Sequence, residues 1–491
     1  MKNSKFNSCL RLSSKGLRRF SCWKPLCLAA WLALAGCTAA PPHEAPLVAV
    51  GQDWLGVAPE GWVGTEHYRA WQEGRWWELF GDEGLDALMP RVEIGNQNLA
   101  AAVARVAQAQ ALLRQAQAQL APTLGVQLGA QRSGEPARGS ATLGLNASWA
   151  PDLWGRLQAG VAQQGANVQA SQANLAAARL SAQASLAQAW FALREAEAEG
   201  ALLEDIIDGY RRALAITQNN YDAGMVARTD VLQAQSTLES ALSTRAGLQR
   251  SRDTYEHAIA LLVGEVPSSF ALHTARWVRT APEVPPALPS ELLLRRPDVV
   301  AAERAVAAAN AAIGAVQAAW FPALSLSAGA GGAASSLAQL VSAPTLAWSL
   351  GATLAQALFD GGARSAATGQ ALAAQQVAAA TYRQSVLQAI SQVEDQLTAL
   401  LALDEQIGHA ALAAEAAAGA EERTLNSYRA GISAYTAVVT AQTAALNARR
   451  SLMQLQLQRQ QAVIALIQAL GGGWVAPWVE GGAATSTGAR R

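Results

Sequence analysis

Four thiols, Cys9, Cys22, Cys27 and Cys37, lie within the first 37 of 491 residues, and nothing after Cys37 is a cysteine. A thiolate metal site or a disulfide framework in the body of the chain is thereby excluded. Histidine offers little more. His43, His67, His257, His273 and His409 are scattered, and no two stand at i, i+4, the spacing that sets two ligands on one helix face. The adjacent carboxylates Glu204/Asp205 and Glu394/Asp395 read as solvated helix charges rather than an acid–base pair. Gly329, Gly331 and Gly332 fall inside an alternating segment and not at a helix start, so they form no phosphate cradle. A Gly-x-Ser-x-Gly nucleophile elbow is absent. No catalytic constellation is expected, and no cofactor or metal.

One thiol does stand in a chemical context. Residues 1–36 hold seven basic side chains (Lys2, Lys5, Arg11, Lys15, Arg18, Arg19, Lys24) and no acid, followed by the apolar stretch Leu26–Leu34. This has the form of a secretory signal, and the stretch is too short to span and stay. It ends in Leu34-Ala35-Gly36-Cys37, which resembles the bacterial lipobox. There, small residues admit the peptidase and the cysteine is lipidated before cleavage leaves it as residue one. Thr38 follows where an Asp often retains such proteins at the inner membrane, so Cys37 is expected to anchor this chain to outer-membrane lipid. Beyond residue 36 there remain 30 basic against 37 acidic residues, a net charge of −7. A mildly acidic body excludes the basic footprint of a nucleic-acid binder.

The elements that follow are duplicated. Tyr221-Asp222-Ala223-Gly224 followed by Val231-Leu232-Gln233-Ala234-Gln235 recurs as Tyr428-Arg429-Ala430-Gly431 followed by Val438-Val439-Thr440-Ala441-Gln442. Pro122-Thr123-Leu124 recurs as Pro322-Ala323-Leu324, and Asp152 with Arg156 as Asp360 with Arg364. Three matches in one order at nearly one offset mark an internal repeat.

Each repeat carries two alternating segments, predicted as strands over about 123–131, 141–149, 323–331 and 345–354. Leu124, Val126, Leu128 and Ala130 alternate with Thr123, Gly125, Gln127, Gly129 and Gln131. Ala141 to Trp149 behaves likewise, as do Leu324 to Ala330 and Leu346 to Ala352. Period-two alternation over about nine residues with small polar partners is the pattern of a membrane β-barrel strand. Trp149, Trp154, Trp320, Phe321 and Phe359 gather at the segment ends, as an interfacial girdle would.

The remainder predicts helix. From Gly155 to about Asn220, and from Gly361 to about Ser427, alanine dominates and proline is absent, giving helices roughly 100 Å long. Val386, Ile390, Val393, Leu397, Leu400 and Ile407 keep a 4-3 spacing broken at Asp404, and Val161, Val168, Leu175, Ala182 and Ala189 recur every seven residues. Both predict coiled-coil seams. Gly224 and Gly431 stand where each helix must stop and reverse, and a further helix of about 30–40 residues follows each. No run after the signal reaches the roughly 18 apolar residues of a spanning helix.

Four strands cannot close a barrel, and an open edge in lipid leaves backbone groups unsatisfied. Closure needs further copies: two would give eight strands, three would give twelve, and the small polar inward residues suit the wider, wet lumen. The helices are too long and too polar for a bilayer and must project into the periplasm.

These residues resemble the TolC-like outer-membrane factors, in particular the lipidated NodT-type channels of RND efflux systems. The resemblance covers essentially the whole mature chain. It is carried by Leu294-Arg295-Arg296-Pro297-Asp298 through Ala302-Glu303, by Ala308-Ala309-Asn310-Ala311 with Ile313-Gly314, and by Phe321-Pro322. Pro151-Asp152-Leu153-Trp154-Gly155-Arg156 and the two tyrosine–glycine turns add to it. It implies a membrane β-barrel joined to an α-helical coiled-coil barrel, with two helix–strand–strand–helix repeats per chain. As a homotrimer this gives a 12-stranded barrel and a 12-helix periplasmic tunnel. It also implies a passive exit duct, whose periplasmic tips gate the tunnel and dock an adaptor (membrane fusion) protein and an inner-membrane RND pump.

By the same resemblance the tip residues are Tyr221, Gly224, Arg228, Asp230, Tyr428, Gly431, Thr436 and Thr440, with Arg228 and Asp230 as the charges that link tips shut. Such channels often place Leu, and four residues later Asp, as constricting rings after the second turn. Here Thr436 and Thr440 stand at those positions, so an uncharged constriction and weaker cation preference are expected.

The expected organisation is a signal over 1–36, a lipid-anchored tether over 37–90, and a first repeat over 91–262. A proline-rich linker over 263–296, a second repeat over 297–470 and a tail over 471–491 complete it. The cargo is expected to be drugs or other toxic small molecules, with metal ions or aromatic acids as alternatives. A structural coiled-coil lipoprotein is the competing class, and it would have no use for four amphipathic strands.

Overall fold

The computed structural model describes residues 46, 74–134, 138–282, 296–335, 340 and 346–478. Cys37, the signal, most of the expected tether and Leu294-Arg295 lie outside the described residues. The helices are α1 (Glu83–Gly95), α2 (Gln97–Ala118), α3 (Arg156–Asp222), α4 (Arg228–Val263), α5 (Pro297–Gln317), α6 (Ala363–Arg429) and α7 (Tyr435–Ala469). The strands are β1 (Thr123–Ser133), β2 (Arg138–Trp149), β3 (Ala323–Ala334) and β4 (Leu346–Ala355). Both α3 and α6 run 67 residues, and α4 and α7 run 36 and 35, so the duplication is as exact in structure as in sequence. The described chain falls into two compact units.

One unit, Leu113–Gln164 with Ala308–Gln375, contains the sheet. Its four strands are antiparallel in the order β1-β2-β3-β4. Register is what makes the sheet two-sided. Leu128 faces Leu143, Val126 faces Leu145, Leu145 faces Ala330, and Ala330 faces Trp348. Their neighbours on the opposite face are also paired: Gln127 with Gly144, Gly144 with Gly331, and Gly331 with Ala347. A Cβ at Gly331 would stand 2.4 Å from the Leu143 carbonyl oxygen, so this register requires glycine there. β1 and β4 each have one unpaired edge. At the strand ends the rings of Trp154 and Phe321 stack at 4.9 Å, and the Trp154 indole donates to the Pro322 carbonyl at 2.6 Å, tying the two repeats together.

The other unit is helical: residues up to Leu112, Gly165–Ala307, and those from Gln376 onward. On α6 the buried positions include Tyr382, Val386, Ala389, Val393, Leu397, Leu400 and Leu403. The seam therefore steps past Asp404 by using Leu403, while Ile390 and Ile407 are only half-buried. On α3 the expected heptad is displaced. The buried heptad is Ala159, Ala166, Ala173, Leu180 and Ala187, whereas of Val161, Val168, Leu175, Ala182 and Ala189 only Val168 is buried. Alanines on neighbouring faces of an alanine-rich helix are interchangeable by pattern, and the partner that packs on them decides between them.

Two stretches outside the expected repeats are packed. Residues 74–90, assigned to a tether, instead form a 3-10 turn (Trp76–Phe80) and the start of α1. Trp76, Leu85 and Met89 are fully buried, and the Phe80 ring lies 5.0 Å from that of Phe191. Asp82 caps α1 by accepting from the Gly84 and Leu85 amides at 3.0 and 3.1 Å, and it also accepts from the Trp190 indole at 3.0 Å. The described part of the linker has irregular backbone yet buries Phe270 and Trp277, the latter donating to Gln460 at 3.0 Å.

Arg296 explains part of the family-like motif. Its buried guanidinium donates to the Ala469 carbonyl at 3.0 Å, to Gln392 at 2.9 Å and to Asp298 at 2.6 Å, clamping the start of α5 to α6 and to the end of α7. Among the described residues, Pro297–Trp320 alone is long and apolar enough to cross a bilayer. It carries Asp298, Glu303 and Arg304, and it packs Val299 and Val306 against Tyr382 and Val386 of α6.

Candidate functional site: a two-faced sheet and two helix tips

Among the described residues, much of the sheet's apolar face is exposed, although Ala141 on it is buried. Val126 is 73%, Leu350 75% and Trp348 77% exposed. The opposite face carries Thr123, Gln127, Gln131, Ser140, Thr142, Asn146, Ser148, Ser325, Ser327, Ser349 and Thr353 with intervening glycines. Leucine, valine and tryptophan at this exposure on one face, with hydroxyls and amides on the other, describe a wall between hydrocarbon and water. Trp149, Trp320, Phe321 and Phe359 are exposed at the ends of the strands joined to helices.

The helix tips are built alike. At the end of α3 the Gly224 amide donates to the Tyr221 carbonyl and the Met225 amide to the Asn220 carbonyl, both at 2.8 Å. At the end of α6 the Gly431 amide donates to Tyr428 and the Ile432 amide to Ser427, both at 2.9 Å. These paired bonds are the Schellman closure, and they need a left-handed residue, which Gly224 (φ 76°) and Gly431 (φ 73°) provide. The next helices begin at Arg228 and Tyr435 without a side-chain cap.

The side chains then diverge. Arg228 lies 5.9 Å from the centre of the Tyr221 ring, a contact within the first tip rather than with Asp230. Asp230 sits in the first turn of α4, where its charge favours the helix N-terminus. In the second tip Tyr428 packs on Tyr435 at 5.5 Å, and Tyr435 is buried with Val438 and Ala234. Burial, with Tyr428 and Tyr210 nearby, pushes the Tyr435 phenol up to about 12. Thr436 and Thr440 are exposed, and the Thr440 hydroxyl donates to the Thr436 carbonyl at 2.9 Å, leaving an uncharged surface of methyl groups and acceptor oxygens. Tyr221, Gly224, Arg228 and Asp230 thus form one tip and Tyr428, Gly431, Thr436 and Thr440 the other. Among the described residues no cluster of three or more His, Asp or Glu could hold a metal ion.

One feature of α3 escaped the sequence reasoning. Trp190 through Ala196 are seven consecutive buried residues, and they include Arg194 and Glu195. Arg194 donates to Glu197 at 2.5 Å and to the His273 carbonyl at 2.9 Å, and its guanidinium covers the Trp190 ring at 4.0 Å. Arg252 of α4 bonds Glu197 at 3.2 Å and Glu256 at 2.9 Å. Glu199 pairs with Arg450 of α7. The available signal was the run Arg194-Glu195-Ala196-Glu197-Ala198-Glu199 directly after Trp190-Phe191-Ala192-Leu193.

The family model for outer membrane efflux proteins matches residues 88–265 and again 288–472, one copy on each repeat. The chain belongs to the outer membrane efflux protein family. It is 31% identical over 420 residues to the pyoverdine export outer membrane protein OpmQ of Pseudomonas aeruginosa, covering 82% of this chain and 87% of that one. It is 30% identical over 460 residues to the cation efflux system protein CusC of Escherichia coli, covering 92% and 98%. The solved structure of the outer-membrane channel OprN superposes with a TM-score of 0.80 at 27% identity, covering 89% of this chain and all of that one. The helix–strand–strand–helix repeat is therefore the TolC-type channel fold. As a family member the chain is an outer-membrane efflux channel, an exit duct in a family of transport proteins rather than enzymes.

Proposed function

We propose that three copies of this chain close one 12-stranded barrel and one 12-helix tunnel, and that the assembly passively passes drugs or other toxic small molecules out of the periplasm. The observation that carries this is the two-faced sheet with a free edge on both β1 and β4. In hydrocarbon those edges must pair, and other copies of the chain supply strands with the same two-faced pattern. In this proposal Cys37 carries the lipid anchor in the outer membrane. The tips Tyr221–Asp230 and Tyr428–Gln442 engage a periplasmic adaptor, and an inner-membrane RND pump supplies the energy. The hydroxyl, amide and glycine face of the sheet lines the lumen.

Mass spectrometry of the full-length protein in mild detergent is expected to give three copies, each carrying acyl groups on Cys37. A detergent-stable monomer would remove the closed barrel, and an unmodified Cys37 would remove the anchor.

The tip proposal has its own test. Thr436 and Thr440 form an uncharged ring, so cation preference is expected to be weak, and Thr440→Asp is expected to raise it roughly tenfold by concentrating counter-ions at the constriction. Reversal potentials across a planar bilayer measure this. A strong wild-type preference lost in Asp230→Ala would instead place the filter in the first tip.

Relatives of nearly equal identity are named for pyoverdine and for cations, so metal export is the second reading. Thr436 and Thr440 offer a cation no carboxylate at the expected constriction, which suits neutral solutes better.

A further inference from the structure

Glu195 and Glu199 stand one turn apart on α3 and are 7% and 3% exposed. Two like charges four positions apart on one helix face, both withdrawn from water, are costly, which favours a proton on one of them. Glu199 is held by Arg450 of α7, while Oε1 of Glu195 has no partner. The other charges nearby are committed. Arg194 and Glu197 lie about 150° around α3 from this pair, by helical geometry, and bond each other, with Arg252 and Glu256 of α4 completing that network. Arg449, beside Arg450, pairs with Glu421 of α6. One guanidinium therefore serves two buried carboxyl groups.

We propose that Glu195 keeps its proton beside the Glu199–Arg450 pair in the seam between α3 and α7, making this seam a pH-responsive joint of the helical unit. With the proton present, the site holds one carboxylate, one carboxylic acid and one guanidinium, and its charge sums to zero. Losing the proton leaves two carboxylates one turn apart against a single cation, which loosens α3 from α7. Burial, then the Glu199 charge, pushes Glu195 up to about 7 from its ordinary 4.5, against a smaller opposing effect of Arg450. A carboxyl group raised on folding stabilises the folded state least at high pH. Packing is thus tightest below about pH 4.5, weakens as pH rises towards 7 and changes no further above it.

Hydrogen–deuterium exchange on the full-length protein in detergent tests this, after correction for the intrinsic chemical rate. Opening of segments 190–203 and 446–455 is expected to rise towards tenfold per pH unit between about pH 5 and 7. In Glu195→Gln, whose amide mimics the protonated acid, that dependence is expected to vanish. An unchanged slope in Glu195→Gln, or no slope in the wild type, overturns the proposal. Should Glu195→Gln fail to assemble, infrared difference spectra of the wild type decide. A protonated-carboxyl band present at about pH 6 and lost at about pH 8 supports the proton on Glu195, and its absence at both values refutes it.

Discussion

Leu128→Arg is expected to prevent insertion of the barrel, whereas Gln127→Arg, one residue earlier, is expected to leave it intact. Leu128 is the middle residue of β1, is 66% exposed, and faces Leu143 on the apolar side. An arginine near mid-bilayer on the lipid side of a barrel costs about 2–4 kcal/mol, and assembly of several copies repeats that cost in each. Gln127 faces Gly144 on the polar side, where a long cation can reach water and meets no large side chain. The fraction recovered in outer-membrane vesicles with heat-modifiable mobility measures both. Equal behaviour of the two variants would mean that the sheet's two faces do not see different solvents, and the duct reading would fall with it.

Trp76→Ala is expected to destabilise the helical unit by about 3–5 kcal/mol, the usual effect of emptying a buried aromatic site. Trp76 is fully buried, meets the Trp77 and Phe80 rings edge-on at 6.0 and 6.4 Å, and donates to Gln183 of α3 at 3.3 Å. Its loss opens a cavity against α3 and leaves the Gln183 oxygen short of a donor. The exposed Ile94 on α1 provides the comparison, since Ile94→Ala is expected to change stability by no more than about 0.5 kcal/mol. Urea unfolding midpoints of the two variants measure the difference. If residues 74–90 were only a tether, Trp76→Ala would match Ile94→Ala.

That contrast marks where sequence reasoning stopped. The expected tether over 37–90 takes in these residues, since Trp76-Trp77-Glu78-Leu79-Phe80 has neither a strand nor a helix period. Only the depth of the groove between α3 and its neighbours shows that these rings are core. The charged run after Leu193 was legible as charge and not as burial. Helical periodicity predicts that something faces inward, but α3 is enclosed on several sides at Trp190–Ala196, so no residue there has a solvent face to occupy. The α3 heptad was misplaced by two positions for a related reason. Alanine is nearly indifferent to its surroundings, and an alanine stripe is defined by its partner.

Other features needed no coordinates. Local patterns write themselves into the chain when a single residue type is compulsory: glycine at the left-handed Gly224 and Gly431, leucine alternating with threonine or glutamine where one strand face meets lipid and the other water, and alanine without proline along 67-residue helices. Such requirements act within a few residues, so they survive in sequence as period and spacing, and the duplication repeats them. Tertiary structure decided the rest: which apolar stripe is a seam, that Arg228 rests on Tyr221, and that Glu195 and Glu199 must divide one arginine. The seams and the shared arginine depend on groups distant in sequence meeting in low dielectric, as Glu199 and Arg450 do 251 residues apart, and no local pattern encodes such a meeting.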